Sequence, residues 1–448
     1  MTSIRILILI CAALSLGFLR SAAADPPKVI KAVPDNGETG VDPSLREIRV
    51  EFDQDMITGG YSWVGGGEKY PKTRGRPRWV DARTCVLPVR LEPNHEYWLS
   101  INSVTYKNFL GANTEPAEPY PIWFKTAEGQ GGDTTAEISD QDVEDSIQEL
   151  RRAIDEDYSY RDLRNIDWPM LFAEFTPRLK NAKDPKDFAK EASKLLAYAN
   201  DMHIWLTLEG AHFGTAKRDI IRNYNPRILL SKVLDWKEHN SRICTGRFED
   251  GIGYILITNW SWDNIDELEP AYEALDEFAE AKGLIVDVRP NGGGDERLAQ
   301  YFAGCFITEP RIYAKNVYRD PSDPSGFTNP PYDRVIEPKK GRPKYRGKVA
   351  VLMGQANMSS CEAFLLMMKQ APSCTLVGDR SFGSSGNPKA FPLANGVTVY
   401  LPSWKAMRPD GTVFEGEGIA PDVLIEATEE DFRQGDPVLD AALEFLRK

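Results

Sequence analysis

Cysteine and histidine are scarce in this chain. Its 448 residues include six cysteines and four histidines, and no two cysteines form a Cys-x-x-Cys pair. This spacing argues against a zinc site, because zinc cages need closely spaced thiolate or imidazole ligands. Five cysteines lie beyond residue 24. One or two disulfide bonds could form among them, and the sequence does not specify which cysteines would pair.

Long hydrophobic runs are also lacking, except at the N-terminus. Residues 6–19 are apolar, Arg5 precedes them, and Ala22 and Ala24 follow in an Ala-x-Ala arrangement. The run is shorter than the roughly 20 residues of a spanning helix, and the small residues are typical of a cleavage site. We expect residues 1–24 to be a signal peptide, so that the protein is exported, periplasmic or extracellular, with no membrane span after cleavage. An uncleaved anchor is the alternative.

The chain also lacks an excess of positive charge. Lys and Arg number 54 against 67 Asp and Glu, which gives a formal net charge of −13. Nucleic-acid binding is therefore not expected, since it depends on clustered cations interleaved with aromatic residues. What the chain has is a globular composition, with 42% hydrophobic residues and ten tryptophans. Its length suggests two or three domains.

Residues 29–127 show the period-two alternation of β-strands. The stretches LREIRVEF, TCVLPVRL and EYWLSINSV alternate apolar with polar residues, and Gly, Pro, Asn and Asp separate them. The pattern predicts an all-β sandwich of about a hundred residues. It resembles the bacterial Ig-like domains in its FDQDM stretch (52–56) and in its Phe124-x-Thr126 ending. The Gly-rich, polar residues 128–137 are predicted to be a linker.

The pattern then becomes helical and later alternates. Four apolar residues recur at steps of four, three and four on one helix face: Val143, Ile147, Leu150 and Ile154. We expect a helical subdomain over 138–207 and an α/β core over 208–448, where strand and helix patterns alternate. The chain is thus predicted to be multidomain. A long Pro-rich stretch, 319–345, is of the kind that often forms a lid or a binding edge.

Two turns at predicted strand ends carry unusual residues. The stretch NMSSCEAFLL (357–366) places serines at a helix start, and DVRPNGGGDERL (287–298) carries three consecutive glycines. Ser359 is either an N-cap, with Glu362 completing a capping box, or a nucleophile beside helix N–H groups. The glycines form either a tight turn or a backbone cradle. Because both turns follow strands, we expect them at the edge of the sheet where ligands bind.

A nucleophilic serine needs a base. The chain offers four histidines, His95, His203, His212 and His239. His203 stands in NDMHIWL, between apolar residues that fix its position. It is either a structural histidine or the base, and a base also needs an orienting group.

Four motifs now resemble the C-terminal-processing (tail-specific) serine peptidases. They are GLIVDVRPNGGG (283–294), ANMSSCEAF (356–364), LVGDRSFGSSG (376–386) and DGTVFEGEGIAPDV (410–423), in the order that the family has. The resemblance covers 250–425 in detail and 138–250 loosely. It implies a ClpP/crotonase-like peptidase core.

The resemblance also implies the catalytic residues. The nucleophile stands three residues before the motif glutamate, Glu362, and is therefore Ser359. Members of the Ser/Lys type carry a lysine at the position of Ser384, which disfavours a Ser–Lys dyad here. The tricorn-core type uses a histidine instead, which implies His203 as the base and Glu415 as its helper.

Two departures from the family follow. Met202 stands where tricorn itself carries a serine before the histidine, and Ser384 or Ser385 is a candidate to supply that hydroxyl. Residues 208–248 are too few for the PDZ domain that many members insert. We expect no PDZ domain.

The implied reaction is hydrolysis of a peptide or protein substrate through an acyl-enzyme. Backbone N–H groups of Gly293 or Gly294 and of Ser360 are expected to form the oxyanion hole. No metal or organic cofactor is expected. The oligomeric state stays open. Two alternatives remain: a catalytically silent binding protein on the same fold, as in the retinoid-binding domains, and an esterase on a crotonase-like core.

Overall fold

The chain divides into two compact units, with the division between Gly132 and Asp133. The computed structural model describes residues 25–127, 138–217, 219–261 and 265–448. The division falls inside the predicted linker. That linker and the predicted signal peptide both lie outside the described residues.

The first unit is built from β-strands. One sheet has the order β1-β3-β7-β5, with β6 also paired to β7, and the other has the order β2-β9-β8-β4. The strands are β1 (Val29–Val33), β2 (Glu38–Val41), β3 (Glu47–Phe52), β4 (Trp63–Val64), β5 (Lys72–Thr73), β6 (Arg78–Trp79), β7 (Thr84–Arg90), β8 (Glu96–Ile101) and β9 (Tyr120–Thr126).

The apolar residues of both sheets meet in one cluster. Ile48, Val50 and Phe52 alternate along β3 as buried residues, and Ile122 and Phe124 do so on β9. This period of two places one face of each strand in the core. The prediction of an N-terminal β-rich region is confirmed, whereas its bounds of 29–127 and its likeness to Ig-like domains stay predictions.

The second unit contains the helices of the described chain. They are α1 (Asp140–Arg152), α2 (Trp168–Lys180), α3 (Pro185–Leu196), α4 (Pro226–Lys232), α5 (Glu269–Glu277), α6 (Glu296–Ala303), α7 (Ser360–Met368), α8 (Glu429–Gln434) and α9 (Pro437–Arg447). None of these helices is both long enough and apolar enough to cross a membrane.

The same unit contains three sheets. Their strands are β10 (Trp205–Leu208), β11 (Ala211–Gly214), β12 (Leu234–Glu238), β13 (Ile243–Arg247), β14 (Gly253–Ile257), β15 (Leu284–Asp287), β16 (Arg311–Tyr318), β17 (Tyr332–Ile336), β18 (Val349–Met353), β19 (Cys374–Gly378), β20 (Pro388–Pro392), β21 (Thr398–Pro402), β22 (Trp404–Met407) and β23 (Val423–Leu424). The orders are β12-β13-β14-β15-β18-β19-β23, β11-β10-β21-β20 and β17-β16-β22.

The seven-stranded sheet has helices on both faces. Its strands from β14 to β23 are parallel, as expected when helices connect them. Leu284 and Val286 of β15 face α5, α6 and α7, whereas Ile285 between them faces α9. This arrangement confirms the predicted α/β core, and it brings the carboxyl ends of β15 and β18 together.

The first three helices belong to the same compact unit as the α/β core. Local signals start them, since Ser139 caps α1 and Asp184 caps α3, each with a side-chain oxygen that accepts a backbone N–H. Their buried faces pack against Val399 and Leu401 of β21, and β10 pairs antiparallel with β21. The boundary predicted after residue 207 falls within β10 and stays a prediction.

The Pro-rich stretch is partly regular. Tyr332–Ile336 forms β17, which pairs antiparallel with β16, while 319–331 forms the connection between these two strands. Arg319 pairs with Phe327 in an isolated antiparallel bridge, so that the connection folds back on itself.

Candidate active site

Ser359 begins α7 with a backbone conformation that L-residues rarely adopt. Its φ is +56° and its ψ is −129°, and its side chain makes no capping hydrogen bond. The predicted capping box is therefore wrong, since Glu362 bonds elsewhere. Such a backbone costs about 1–3 kcal/mol and persists only where its surroundings fix it. One such contact is the Ser359 N–H, which donates to the Ser384 carbonyl at 2.7 Å.

The glycine turn after β15 packs directly on the serine turn. Gly293 has a φ of +110°, and a Cβ on it would lie 2.8 Å from Ser359 Cβ and 2.9 Å from the Met358 carbonyl oxygen. A side chain at this position would collide with the serine turn. Glycine is therefore required both by conformation and by space.

Asn357 ties the two turns together. Its Nδ2 donates to the carbonyls of Val288, at 2.5 Å, and Asn291, at 3.1 Å, while its Oδ1 accepts from Gly354 N–H at 2.8 Å. The side chain is fully buried. The asparagine of the NMSS stretch thus fixes the relative position of the glycine and serine turns.

The predicted oxyanion donors differ in availability. Gly293 N–H already donates to Asn291 Oδ1 at 2.9 Å. The N–H groups of Gly294 and Ser360 donate to no group in the described chain. The Ser360 hydroxyl donates to the Gly294 carbonyl at 2.5 Å and so connects the two turns. Of the two predicted glycines, the hydrogen-bond pattern therefore leaves Gly294 as the free donor.

His203 is buried and held at two points. Its backbone N–H donates to Asp201 Oδ1 at 2.9 Å, and its Nδ1 lies 2.7 Å from Ser384 Oγ. Burial lowers the pKa of His203, although the Asp201 charge acts in the opposite direction. No direct hydrogen bond joins His203 to Ser359 among the described residues. The two meet instead on one residue, since Ser384 binds Ser359 through its carbonyl and His203 through its hydroxyl.

Glu362 anchors this junction. Its fully buried carboxyl group accepts hydrogen bonds from Ser381 Oγ at 2.6 Å, Gly383 N–H at 2.7 Å and Ser384 N–H at 3.0 Å. Burial raises the pKa of Glu362 to about 7, against the opposing effect of these donors. The motif glutamate therefore ties α7 to the segment that carries Ser384.

Glu415 lies in the same buried cluster without a hydrogen bond to His203. Its two carboxyl oxygens accept from Ser385 N–H at 2.9 Å and from Arg164 Nη2 at 3.0 Å. Burial raises its pKa well above the ordinary value, and the nearby Asp201 charge adds to this effect. Glu415 thus fixes Ser385, the residue next to Ser384. The hydrogen bond to His203 is made by the Ser384 hydroxyl and not by Glu415.

Two members of this cluster were missed by sequence reasoning. Arg164 binds Glu415 and lies 3.9 Å from Asp201 Oδ2, and Tyr158 donates its hydroxyl to the same Asp201 oxygen at 2.9 Å. Both come from the segment between α1 and α2, far from the four motifs. No motif or spacing in the sequence marks them.

The Asp-x-Arg of the glycine motif has a structural role in this chain. Arg289 is completely buried and pairs with Asp287 and Asp436, each at 2.7 Å. Tyr254 donates its hydroxyl to Asp287 at 2.9 Å. These bonds fasten the end of β15 to the start of α9 and leave no cation for a ligand.

Metal-ligand clusters and cysteine thiols near the serine turn are the other features of the described ranges that bear on the chemistry. They contain no group of three or more His, Cys, Asp or Glu side chains that is arranged to hold a metal ion. The five cysteines that the structure describes are unpaired. Cys361 next to the serines is fully buried, and burial raises its pKa well above the ordinary value, so it packs as an apolar residue.

Known proteins resemble both parts of the second unit. Residues 251–425 match peptidase family S41, and residues 139–196 match the Tricorn protease C1 domain. Carboxy-terminal processing protease CtpB of Bacillus subtilis is 27% identical over 175 residues, which are 39% of this chain and 34% of that protein. Tricorn protease of Thermoplasma acidophilum is 28% identical over 236 residues, which are 52% of this chain and 20% of that protein.

A solved structure extends the likeness to the fold. A crystal structure of a protein from Parabacteroides merdae superposes with a TM-score of 0.60 at 26% identity and covers 68% of this chain and 97% of its own. The chain spans about a third or less of the two curated relatives. The four motifs, the helices before them and these matches agree. This chain carries a Tricorn protease C1 domain over 139–196, followed by a peptidase family S41 domain over 251–425.

Proposed function

We propose that the protein is a serine-type peptidase that hydrolyses peptide bonds through an acyl-enzyme, with Ser359 as nucleophile and His203 as base. One observation carries this proposal. Ser384 accepts the Ser359 N–H at 2.7 Å and places its hydroxyl 2.7 Å from His203 Nδ1. The nucleophile turn and the imidazole are therefore positioned by the same residue.

The buried imidazole is suited to act as a base. Its lowered pKa keeps it neutral at pH 7. In the tautomer with a proton on Nδ1, that N–H donates to Ser384 Oγ and the lone pair of Nε2 is free. Nε2 takes the Ser359 hydroxyl proton as Oγ attacks the carbonyl carbon of the substrate. His203 then gives this proton to the leaving amine.

The developing negative charge needs donors close to Ser359. The free N–H groups of Gly294 and Ser360 lie on the two turns that Asn357 holds together. The N-terminus of α7 adds its positive dipole end at the same place. Removing one such donor typically costs 10²–10³ in rate.

Deacylation repeats these reaction steps with water as the nucleophile. Water adds to the acyl carbon while His203 takes one of its protons, and that proton returns to Ser359 Oγ as the acid product leaves. Glu415 and Arg164 support the reaction indirectly, since they hold the Ser385 N–H and therefore the Ser384 hydroxyl.

The proposal includes peptide or protein substrates, export and the absence of a PDZ domain. The relatives named carboxy-terminal processing protease and Tricorn protease support the substrate class. Between residues 208 and 248 the described chain forms β11, α4, β12 and β13, which supports the absence of a PDZ domain. The Ig-like domain is proposed to space or position the enzyme.

Active-site labelling tests the proposal. The chain from Asp25 onward is treated with a fluorophosphonate probe, and mass spectrometry locates the modified residue. We expect labelling at Ser359 that disappears in Ser359→Ala and His203→Ala. The matched controls are Ser373→Ala and His212→Ala, which change an exposed serine and an exposed histidine outside the cluster.

Two outcomes would contradict the proposal. One is the absence of labelling in folded wild-type protein, which would favour the silent binding protein. The other is labelling that persists in His203→Ala at the wild-type rate. Hydrolysis of small esters without cleavage of any peptide in a library would favour an esterase.

A further inference from the structure

Two cations share one aromatic ring at the start of the Pro-rich stretch. The Arg319–Phe327 bridge brings Arg319 Cζ to 5.0 Å from the centroid of the Phe327 ring. Lys405 of β22 places its Nζ 3.7 Å from the same centroid. These three residues, Arg319, Phe327 and Lys405, are called the cationic patch.

Lys405 has no acidic partner. No carboxylate of the described chain forms an ion pair with it, although its side chain is half-buried. Burial lowers the pKa of Lys405, Arg319 lowers it further, and only Asp162 acts in the opposite direction. A half-buried ammonium beside another cation gains stability when an anion binds next to it.

Arg319 is only partly neutralised. Its Nη2 lies 3.3 Å from Asp162 Oδ2, and the Asp162 side chain is 56% exposed and also pairs with Arg161 at 2.8 Å. One carboxylate that is shared between two guanidinium groups leaves both of them only partly neutralised. The cationic patch therefore keeps an excess of positive charge in a protein whose net charge is −13.

The patch adjoins the support of His203. Arg319 Nε donates to the Tyr158 carbonyl at 3.2 Å, and the Tyr158 hydroxyl binds Asp201, which accepts the His203 N–H. One tyrosine thus separates Arg319 from the acid that holds the proposed base.

The Lys405 side of the patch is fixed to the same segment. Ser159 Oγ donates to the carbonyl of Trp404, and Ala406 N–H donates to the Tyr160 hydroxyl. These bonds hold both neighbours of Lys405 against 158–160.

We propose that the cationic patch is a subsite that binds a carboxylate of the peptide substrate. An arginine and a lysine that lie over the same aromatic ring suit a carboxylate, because each can form a charge-assisted hydrogen bond with it. The carboxylate comes either from the C-terminus of the peptide or from an Asp or Glu side chain. This inference names the substrate class of the proposed peptidase and rests on that function.

Binding to the full chain carrying Ser359→Ala tests the subsite without turnover. The probes are three pools of randomised N-acetyl hexapeptides made from uncharged residues. One pool ends in an amide, one ends in a free carboxylate, and one ends in an amide with a single internal glutamate. Affinity selection with detection by mass spectrometry measures the ratio of bound carboxylate peptide to bound neutral peptide.

We expect at least one carboxylate pool to bind about tenfold more tightly than the neutral pool, with a preference that falls as salt rises. The pool that shows the preference identifies the source of the carboxylate. In the same background, Lys405→Met should bring the ratio close to one, and Lys405→Glu should reverse it. Lys389→Met, an exposed lysine of β20, is the matched control and should keep the ratio.

Equal binding of all three pools, or binding of none, would overturn the subsite. So would a preference that survives Lys405→Met and Lys405→Glu. Fluorophosphonate labelling of Ser359 in the otherwise unchanged chain reports on the peptidase function separately. A labelled enzyme without carboxylate preference refutes the subsite alone, whereas an unlabelled protein refutes the proposed function.

Discussion

At the residue scale, the hydrogen bond between Ser384 and His203 sets this site apart from a Ser–Lys dyad. Ser384 occupies the position at which the Ser/Lys type of the family carries its lysine, and its hydroxyl reaches His203 Nδ1. A hydroxyl is too weak a base to replace a lysine, but it can accept a hydrogen bond from the Nδ1–H and so fix the orientation of the ring. Met202 cannot make this contact because its thioether is at best a weak acceptor. The hydroxyl expected before the histidine thus comes from a distant segment.

Ser384→Ala should therefore lower kcat while leaving the fold intact. The variant removes one hydrogen bond that orients the imidazole, and we expect a loss of about tenfold in kcat with little change in KM. Steady-state kinetics on a cleaved peptide, with circular dichroism as a check of folding, measure this.

Ser385→Ala is the matched control for that prediction. Ser385 contributes its backbone N–H to Glu415, which alanine retains. We expect near wild-type kcat for this variant. An unchanged kcat in Ser384→Ala, or an equal loss in both variants, would contradict the positioning role of the Ser384 hydroxyl.

At the scale of elements, one buried carboxyl group joins α7 to the segment after β19. Glu362 lies in the first turn of α7 and receives three hydrogen bonds from residues 381–384. Its folded-state pKa of about 7 stands above its ordinary value of 4.5. The native protein therefore keeps a proton on Glu362 at pH values where the unfolded chain has released it.

Glu362→Gln should change the pH dependence of stability. The favourable contribution of the bound proton is fully present below pH 4.5 and is lost as the pH rises through about 7. Its full size is on the order of 3 kcal/mol. Glutamine takes up no proton, so we expect the substitution to destabilise the protein more at pH 5 than at pH 8.

Urea denaturation at pH 5 and pH 8 measures the free energy of unfolding for both proteins. Glu280→Gln, which changes an exposed glutamate, is the control and should leave the pH dependence as it is. The same loss of stability for Glu362→Gln at both pH values would show that Glu362 is ionised throughout.

The elements themselves could be predicted from the sequence, but several contacts between them could not. The alternation of strands and helices and the two turns follow from local patterns, whereas Ser359 and His203 are singled out by the family resemblance. In the structure both residues contact Ser384. The capping box failed because the partners of Glu362 lie on a different segment, up to 22 residues further along the chain. The Ser384–His203 contact spans 181 residues, and Arg164 meets Glu415 across 251. Pairings over such separations leave no periodicity or spacing in a single sequence.

At the scale of the whole molecule, the hydrophobic clusters decide which parts fold together. The cluster of the first unit contains only residues of 29–127. A second cluster combines α1, α2 and α3 with five residues from the segment that contains β20 and β21, namely Phe391, Leu393, Val397, Val399 and Leu401. The helical part and the α/β core therefore share buried surface and hydrogen bonds.

Truncation should separate the first unit from the second but not the helices from the core. We expect 25–127 and 138–448 each to unfold in one cooperative transition, because each retains its own buried clusters. The fragment 208–448 loses the strand that pairs with β21 and exposes the apolar residues around it. We expect it to aggregate or to lack a cooperative transition. Circular dichroism during urea titration compares the three fragments. An unfolding transition of 208–448 as sharp as that of 138–448 would contradict this expectation and support the domain boundary predicted after residue 207.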